Sequence, residues 1–389
     1  MAERRNRRRP ARGASLRGER YEVEVGPVAH GGHFVARIAE LGDRVVFVRH
    51  ALPGERVVVE ITEGTEGDRF LRGDAVSVIG ASPDRVAPPC VVAGPGGCGG
   101  CDFQHVALPA QRALKTSVVL EQLRRIGRLP DDHPELVGFE VEAVPGDEEG
   151  LRWRTRSTFV TDRRGRRGMR RHRSHAVVAV DDCLITTRDA RDPSVPGVVR
   201  EHVVADAGTR EFAVDADGFW QVHPGAPRVL VDTVLGWLRP RPGERALDLY
   251  AGVGLFSAYL ADAVGPSGSV VAVEGSRAAC DHARANLAGL SWVEVHAGDV
   301  ATVLGELEAA ADVVVLDPPR TGAKREVVEQ VVRRQPRAVA LVACDPAALA
   351  RDVALFAEAG YRLAGLRAFD LFPMTHHVEC VALLELASS

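Results

Sequence analysis

"ALDLYAGVGLFSAYLA", residues Ala246 to Ala261, runs from an apolar strand ending at Asp248 through a turn holding Gly252 and Gly254 into a helix. Glycines at such a turn let backbone come close to a ligand at the carboxyl edge of a parallel sheet. The spacing is not the dinucleotide pattern G-x-G-x-x-G. From Gly243 onward strands and helices alternate, with "RALDLY", "SVVAVE", "WVEVHAGD", "DVVVLDPP" and "AVALVACD" as strands and segments such as "SRAACDHARANLAGL" as helices. That alternation predicts a doubly wound parallel sheet, Rossmann-like α/β in class. The last two apolar runs, "YRLAGLRAFDLF" and "HVECVALLEL", have no helix between them and should close the sheet as an antiparallel hairpin.

Acidic residues follow at later strand ends. Glu274 suits ribose hydroxyls and Asp299 an adenine amino group, and this order favours S-adenosylmethionine over a nicotinamide dinucleotide. The plainer reading of each is a helix cap. "LDPPR", Leu316 to Arg320, sets Asp317 and two prolines at the tip of the fourth strand, where proline does not disturb the ladder.

Cys344, in "LVACDPAALARD", ends the next strand and opens onto the same edge. A thiolate beside a methyl donor has a definite use: added at C6 of uracil, it makes C5 carbanion-like and able to take a methyl cation. The start of the following helix is expected to lower the thiol pKa. A base must then remove the C5 proton, and Glu379 on the last hairpin is the candidate. Methylation of cytosine at C5 also uses a cysteine adduct, but those enzymes carry a cysteine near the proline-rich tip, and "DPPRTG" has none. Cys280 and Cys380 lie in apolar or helical patterns and read as packing residues.

The chain has 389 residues, 46% of them hydrophobic, enough for two or three domains. No apolar run is long enough for a bilayer, and "MAERRNRRRPARGASLRGER" lacks an apolar signal segment, so a cytoplasmic protein without membrane contact, monomeric by default, is expected. The formal charge of −4 hides arginines concentrated in that tail and in "LRWRTRSTFVTDRRGRRGMRRHRSHAVV", which reads as a hairpin with a basic tip suited to phosphate. Residues 1–18 read as a basic disordered tail, and 19–80, with β-branched runs and frequent turns, as a small OB-like β-barrel that could bind oligonucleotide or serve as an adaptor. Residues 81–218 form a central α+β domain carrying cysteines and the basic hairpin. Its helix, 108–127, should dock on the catalytic domain, 219–389.

Cys90, Cys98 and Cys101 sit in "CVVAGPGGCGGC", and Cys183 lies downstream in "VDDCLI". Four thiolates on irregular backbone suit zinc or an iron–sulfur cluster, and spacing does not separate the two. Seven cysteines do not make a disulfide framework in a chain of this size.

From Tyr21 to the C-terminus the chain resembles the bacterial RNA uracil-5-methyltransferase family, on "CDPAALARD", "FPMTHHVE", "GFWQVHPGA", "DLYAGVG", "HGGHFVARI" and "FVRHALPGERV". The resemblance implies a class I methyltransferase domain, Cys344 as nucleophile and Glu379 as general base. It implies cofactor contacts at Gln221, Tyr250, Glu274, Asp299 and Asp317. It makes the barrel a TRAM domain that binds RNA, and prefers a [4Fe–4S] cluster on Cys90, Cys98, Cys101 and Cys183, with zinc as the alternative. Leu255 and His223 depart from the family pattern, each standing where relatives often have asparagine. The expected activity is 5-methyluridine formation in structured RNA, in 23S rRNA ahead of tRNA. The rival reading is an RNA-binding or assembly factor that has lost catalysis.

Overall fold

The computed structural model describes residues 13–307 and 309–387. Five strands, Arg20–Ala29, His33–Ile38, Arg44–Arg49, Arg56–Glu63 and Phe70–Gly80, close into a barrel. Alternating residues of each strand point inward, so Val23, Val25, Phe34, Ile38, Val46 and Val59 fill it. The basic tail lies outside the described residues up to position 12. Residues 13–18, expected to belong to it, instead lie on the barrel: Leu16 is buried and its N–H donates to the Gly64 carbonyl.

The helix Leu108–Arg125 packs on the catalytic helix Pro346–Glu358 and also touches the first barrel strand. It buries Lys115 as well as Val119 and Leu123. The Lys115 ammonium meets the Asp370 carboxylate at 2.5 Å and the Phe372 carbonyl at 3.1 Å, which satisfies a charge that would otherwise be costly to bury.

The basic segment forms a small antiparallel sheet of Val160–Thr161, Arg167–Arg170 and Val177–Ala179. Trp153, just before it, is fully buried in a separate cluster with Ile185 and Met374.

Eight strands make the large sheet, in the order Val293–Ala297, Ser269–Glu274, Arg245–Leu249, Val313–Leu316, Ala338–Ala343, Glu379–Leu386, Tyr361–Asp370 and Val141–Ala143. The first five are parallel, with near-continuous valine, leucine and alanine because helices cover both faces. The last strand in sequence inserts antiparallel between Ala338–Ala343 and Tyr361–Asp370, as the missing helix requires. The edge strand Val141–Ala143 comes from the central segment and ties it to the catalytic sheet. Strand order reverses between Arg245–Leu249 and Val313–Leu316, which opens a crevice at their carboxyl ends.

Candidate active site

The crevice begins at Tyr250, whose φ of 66° is left-handed, an uncommon conformation for a residue with a Cβ. The turn is held there because the Tyr250 and Ala251 N–H groups both donate to the Val273 carbonyl, at 2.9 and 3.1 Å. Gly254 follows with φ 92° at the start of the helix Leu255–Val264. A Cβ at Gly252 would meet nothing within 4 Å, so space lies open beside the loop. Beneath it Asp248 is wholly buried; one oxygen accepts from the Ser257 hydroxyl at 2.5 Å and the other has no partner. Burial pushes the Asp248 carboxyl up to about 6.

Glu274 binds this loop from the next strand, accepting from Gly252 N–H at 3.0 Å and Ser276 N–H at 2.7 Å. Asp299 caps the helix Val300–Glu306 through one oxygen, bonded to Thr302, so the capping reading is part of its role. Gln221 is buried on the segment leading into the helix Ala226–Leu238. His223 stacks on Trp153 and takes the Gly225 N–H at 3.1 Å, and Leu255 is buried in the core. Both departures therefore serve packing in this chain.

Two strands along, Ala343 pairs with Cys380 across the antiparallel ladder, so Cys344 and Glu379 stand at facing strand ends. Asp317 and Arg320 come from the neighbouring tip, and both act electrostatically on Cys344 and on Glu379. The expected low thiol pKa is corrected here. Burial, with the Glu379 and Asp317 carboxylates, pushes the Cys344 thiol up to about 12, against which Arg320 acts only weakly. Cys344 precedes the N-cap of the following helix, Asp345, whose own carboxylate takes the free Ala348 N–H at 2.8 Å. Burial and Asp317 also hold Glu379 well above the usual carboxylate range, and burial followed by Asp248 raises Asp317 to about 7. Burial thus favours the uncharged form of the Cys344 thiol and of the Glu379 and Asp317 carboxyls.

Cys344 lines a cavity whose other walls come from distant parts of the chain. His30 and Gly32 belong to the barrel, Lys115 to the helix Leu108–Arg125, and Arg320, His376 and His377 to loops at the end of the large sheet. Arg320 lies in "LDPPR", His376 and His377 in "FPMTHHVE", and His30 and Gly32 in "HGGHFVARI", but spacing assigned them no role, and Lys115 lies in none of these motifs. Only the "HGGH" glycines carry a sequence signal, because their tight turn invites a close approach.

Cys90, Cys98, Cys101 and Cys183 line one separate cavity. Gly100 N–H donates to Cys98 Sγ at 3.4 Å and the Gln104 amide to Cys101 Sγ at 3.3 Å. Among the described residues, no three His, Cys, Asp or Glu side chains are arranged to hold a metal ion. Burial raises the Cys98 and Cys101 thiols.

At the hairpin tip Arg163 and Arg164 are exposed, whereas Arg166 pairs with Asp162 and Arg173 with Glu63. The turn thus presents exposed positive charge.

Residues 14–76 match the TRAM domain family, 304–387 the tRNA (Uracil-5-)-methyltransferase family, and 221–310 the protein-L-isoaspartate(D-aspartate) O-methyltransferase family. A Streptomyces avermitilis protein described as an uncharacterized RNA methyltransferase is 45% identical, over 95% of this chain and 99% of its own. A 23S rRNA (uracil(1939)-C(5))-methyltransferase of Halomonas elongata is 34% identical over 98% of this chain and 93% of its own. The crystal structure of Pyrococcus abyssi tRNA (uracil-54, C5)-methyltransferase with S-adenosyl-L-homocysteine superposes with a TM-score of 0.66 at 21% identity, covering 93% of this chain and 99% of that one. It shares the fold.

Proposed function

Since the chain belongs to the RNA (uracil-5-)-methyltransferase family, we propose that it methylates C5 of a uridine in 23S rRNA, using S-adenosylmethionine and a covalent adduct between Cys344 and C6. The observation that carries this is the facing of Cys344 and Glu379 at the edge where Asp317 and the Tyr250–Gly254 loop meet. The open space at Gly252, the unpartnered Asp248 oxygen and the Glu274 carboxylate fit the cofactor. When bound, it supplies an electrophilic methyl group on a sulfonium.

The residues of the chain do the rest. Cys344 loses its thiol proton to water, its Sγ adds to C6, and the electrons of C5=C6 move through C5 towards the C4 oxygen. After C5 is methylated, Glu379 takes the C5 proton and Cys344 leaves as C5=C6 re-forms. Its high pKa makes the Glu379 carboxylate a strong base once it is ionised. The target base must be out of its stack to reach Cys344, and the arginine tip and the barrel would hold flanking phosphates.

For the second cofactor, four thiols around one cavity, two of them receiving N–H bonds, support a [4Fe–4S] cluster. Its part would be structural, since this route moves no electron. The reading that catalysis has been lost is disfavoured because Cys344, Glu379, Asp317 and the glycine loop all remain together at one edge.

The test is incubation with labelled S-adenosylmethionine and separate transcripts of 23S rRNA, 16S rRNA and tRNA, followed by nucleoside analysis. Labelled 5-methyluridine from 23S rRNA alone is expected. Label only in tRNA would reassign the substrate, and label in none would favour a binding factor.

A further inference from the structure

The wall of the Cys344 cavity opposite the sheet is made by the barrel. His30 Nε2 donates to Asp345 Oδ2 at 3.0 Å, joining the turn after the first barrel strand to the residue beside Cys344. Asp345 spends its other oxygen on the Ala348 N–H. One carboxylate therefore clamps the start of the catalytic helix and the barrel together. The hydrogen bond to Asp345 is the main cause that raises the His30 imidazole pKa, which favours the charged donor form.

The turn is also shaped for this position. Gly31 and Gly32 have φ of 94° and 74°, and a Cβ on Gly32 would stand 2.7 Å from His376 Cβ. No other residue type could bring the turn so close to the histidine that follows "FPMT". Phe103, Leu114 and Val118 complete the same cavity with ring and aliphatic surface, a lining suited to a pyrimidine base.

We infer that the barrel is part of the catalytic machinery and not only an RNA-affinity module: the turn His30–Gly32 closes the chamber for the extruded nucleotide, and His30 is a positioning residue that holds Asp345 and, through it, Cys344. The positioning claim rests on the reading of Cys344 as the nucleophile. The wall claim stands on the cavity itself. A module that only supplied affinity would have no need to approach the nucleophile, and its contribution would appear in RNA binding. A wall and clamp contribute to the rate at saturating RNA.

The experiment uses the full chain with His30→Ala and His30→Gln, the glutamine amide being able to donate to Asp345. Three quantities are read: the single-turnover methylation rate on saturating 23S transcript, the transcript Kd, and the iodoacetamide alkylation rate of Cys344 without RNA. The last is followed by mass spectrometry on the tryptic peptide Ala338–Arg351, in which Cys344 is the single cysteine. His30→Ala should slow methylation about tenfold or more while Kd stays within about threefold, because misplacement of a reacting group costs rate. It should also speed alkylation about threefold as the chamber opens. His30→Gln should recover most of both. A Kd effect alone, with rate and alkylation unchanged, overturns the inference. If the wild type methylates no RNA, the functional reading fails, and unchanged alkylation in His30→Ala then overturns the wall claim separately.

Discussion

Cys344 and Glu379 lie one step beyond Ala343 and Cys380, the last paired residues of two adjacent antiparallel strands. The ladder therefore fixes a thiol and a carboxyl side by side at an edge where loops would otherwise set their distance. Both are pushed towards their protonated forms, chiefly by burial and then by acidic neighbours. The first two predictions come from this arrangement.

Replacing Glu379 by Gln should leave adduct formation in place and block its resolution. Turnover should fall by about 10² to 10⁴, the usual contribution of a positioned base. A protein–RNA species that survives denaturing electrophoresis should accumulate, and Cys344→Ala should abolish it. Loss of turnover with no such species would assign the C5 proton to another group.

Alkylation of Cys344 in the RNA-free protein should rise steadily with pH from neutral upward, about tenfold per unit, because a thiol near 12 is almost wholly protonated there. Asp317→Asn removes one of the carboxylates that disfavour the thiolate, so it should shift this profile to lower pH. A plateau near pH 7 in the wild type would show that the helix start governs the thiol after all.

The strand–helix alternation and the glycine turn made the catalytic sheet legible, because a parallel sheet covered on both faces must be written as continuous apolar strands separated by helices. The strand-end positions of Cys344, Glu379 and Asp317 were legible for the same reason. The thiol's ionisation was not, since it depends on burial and on the Glu379 carboxyl that insertion of the last strand brings near. His30 and Lys115 were hidden more deeply. His30 meets Asp345 across 315 positions and Lys115 meets Asp370 across 255, and neither distance leaves a local pattern.

The second of those pairs is fully buried, with side-chain exposures of 1% and 2%. Lys115→Met should destabilise the protein by about 3–5 kcal/mol, because it strands the Asp370 carboxylate in the interior. Lys115→Met with Asp370→Leu should recover much of that loss. Chemical denaturation of the three proteins measures it, and equal stability of single and double variants would contradict the pairing.

For the second cofactor, anaerobically purified protein should contain iron and acid-labile sulfide in near-equal amounts, with visible charge-transfer absorption. Changing Cys101 to Ser should remove most of both, while a Cys280→Ser control retains them, since Cys280 is buried elsewhere. Zinc without sulfide would select the mononuclear alternative.

The central claim is covalent chemistry by Cys344 at uracil C5. It is tested most directly by tritium release from 23S transcript labelled at uracil C5, with S-adenosylmethionine present and wild type beside Cys344→Ala. Release by the wild type and none by the variant is the predicted result. Equal release by both would show that C5 is activated without this cysteine and contradict the mechanism.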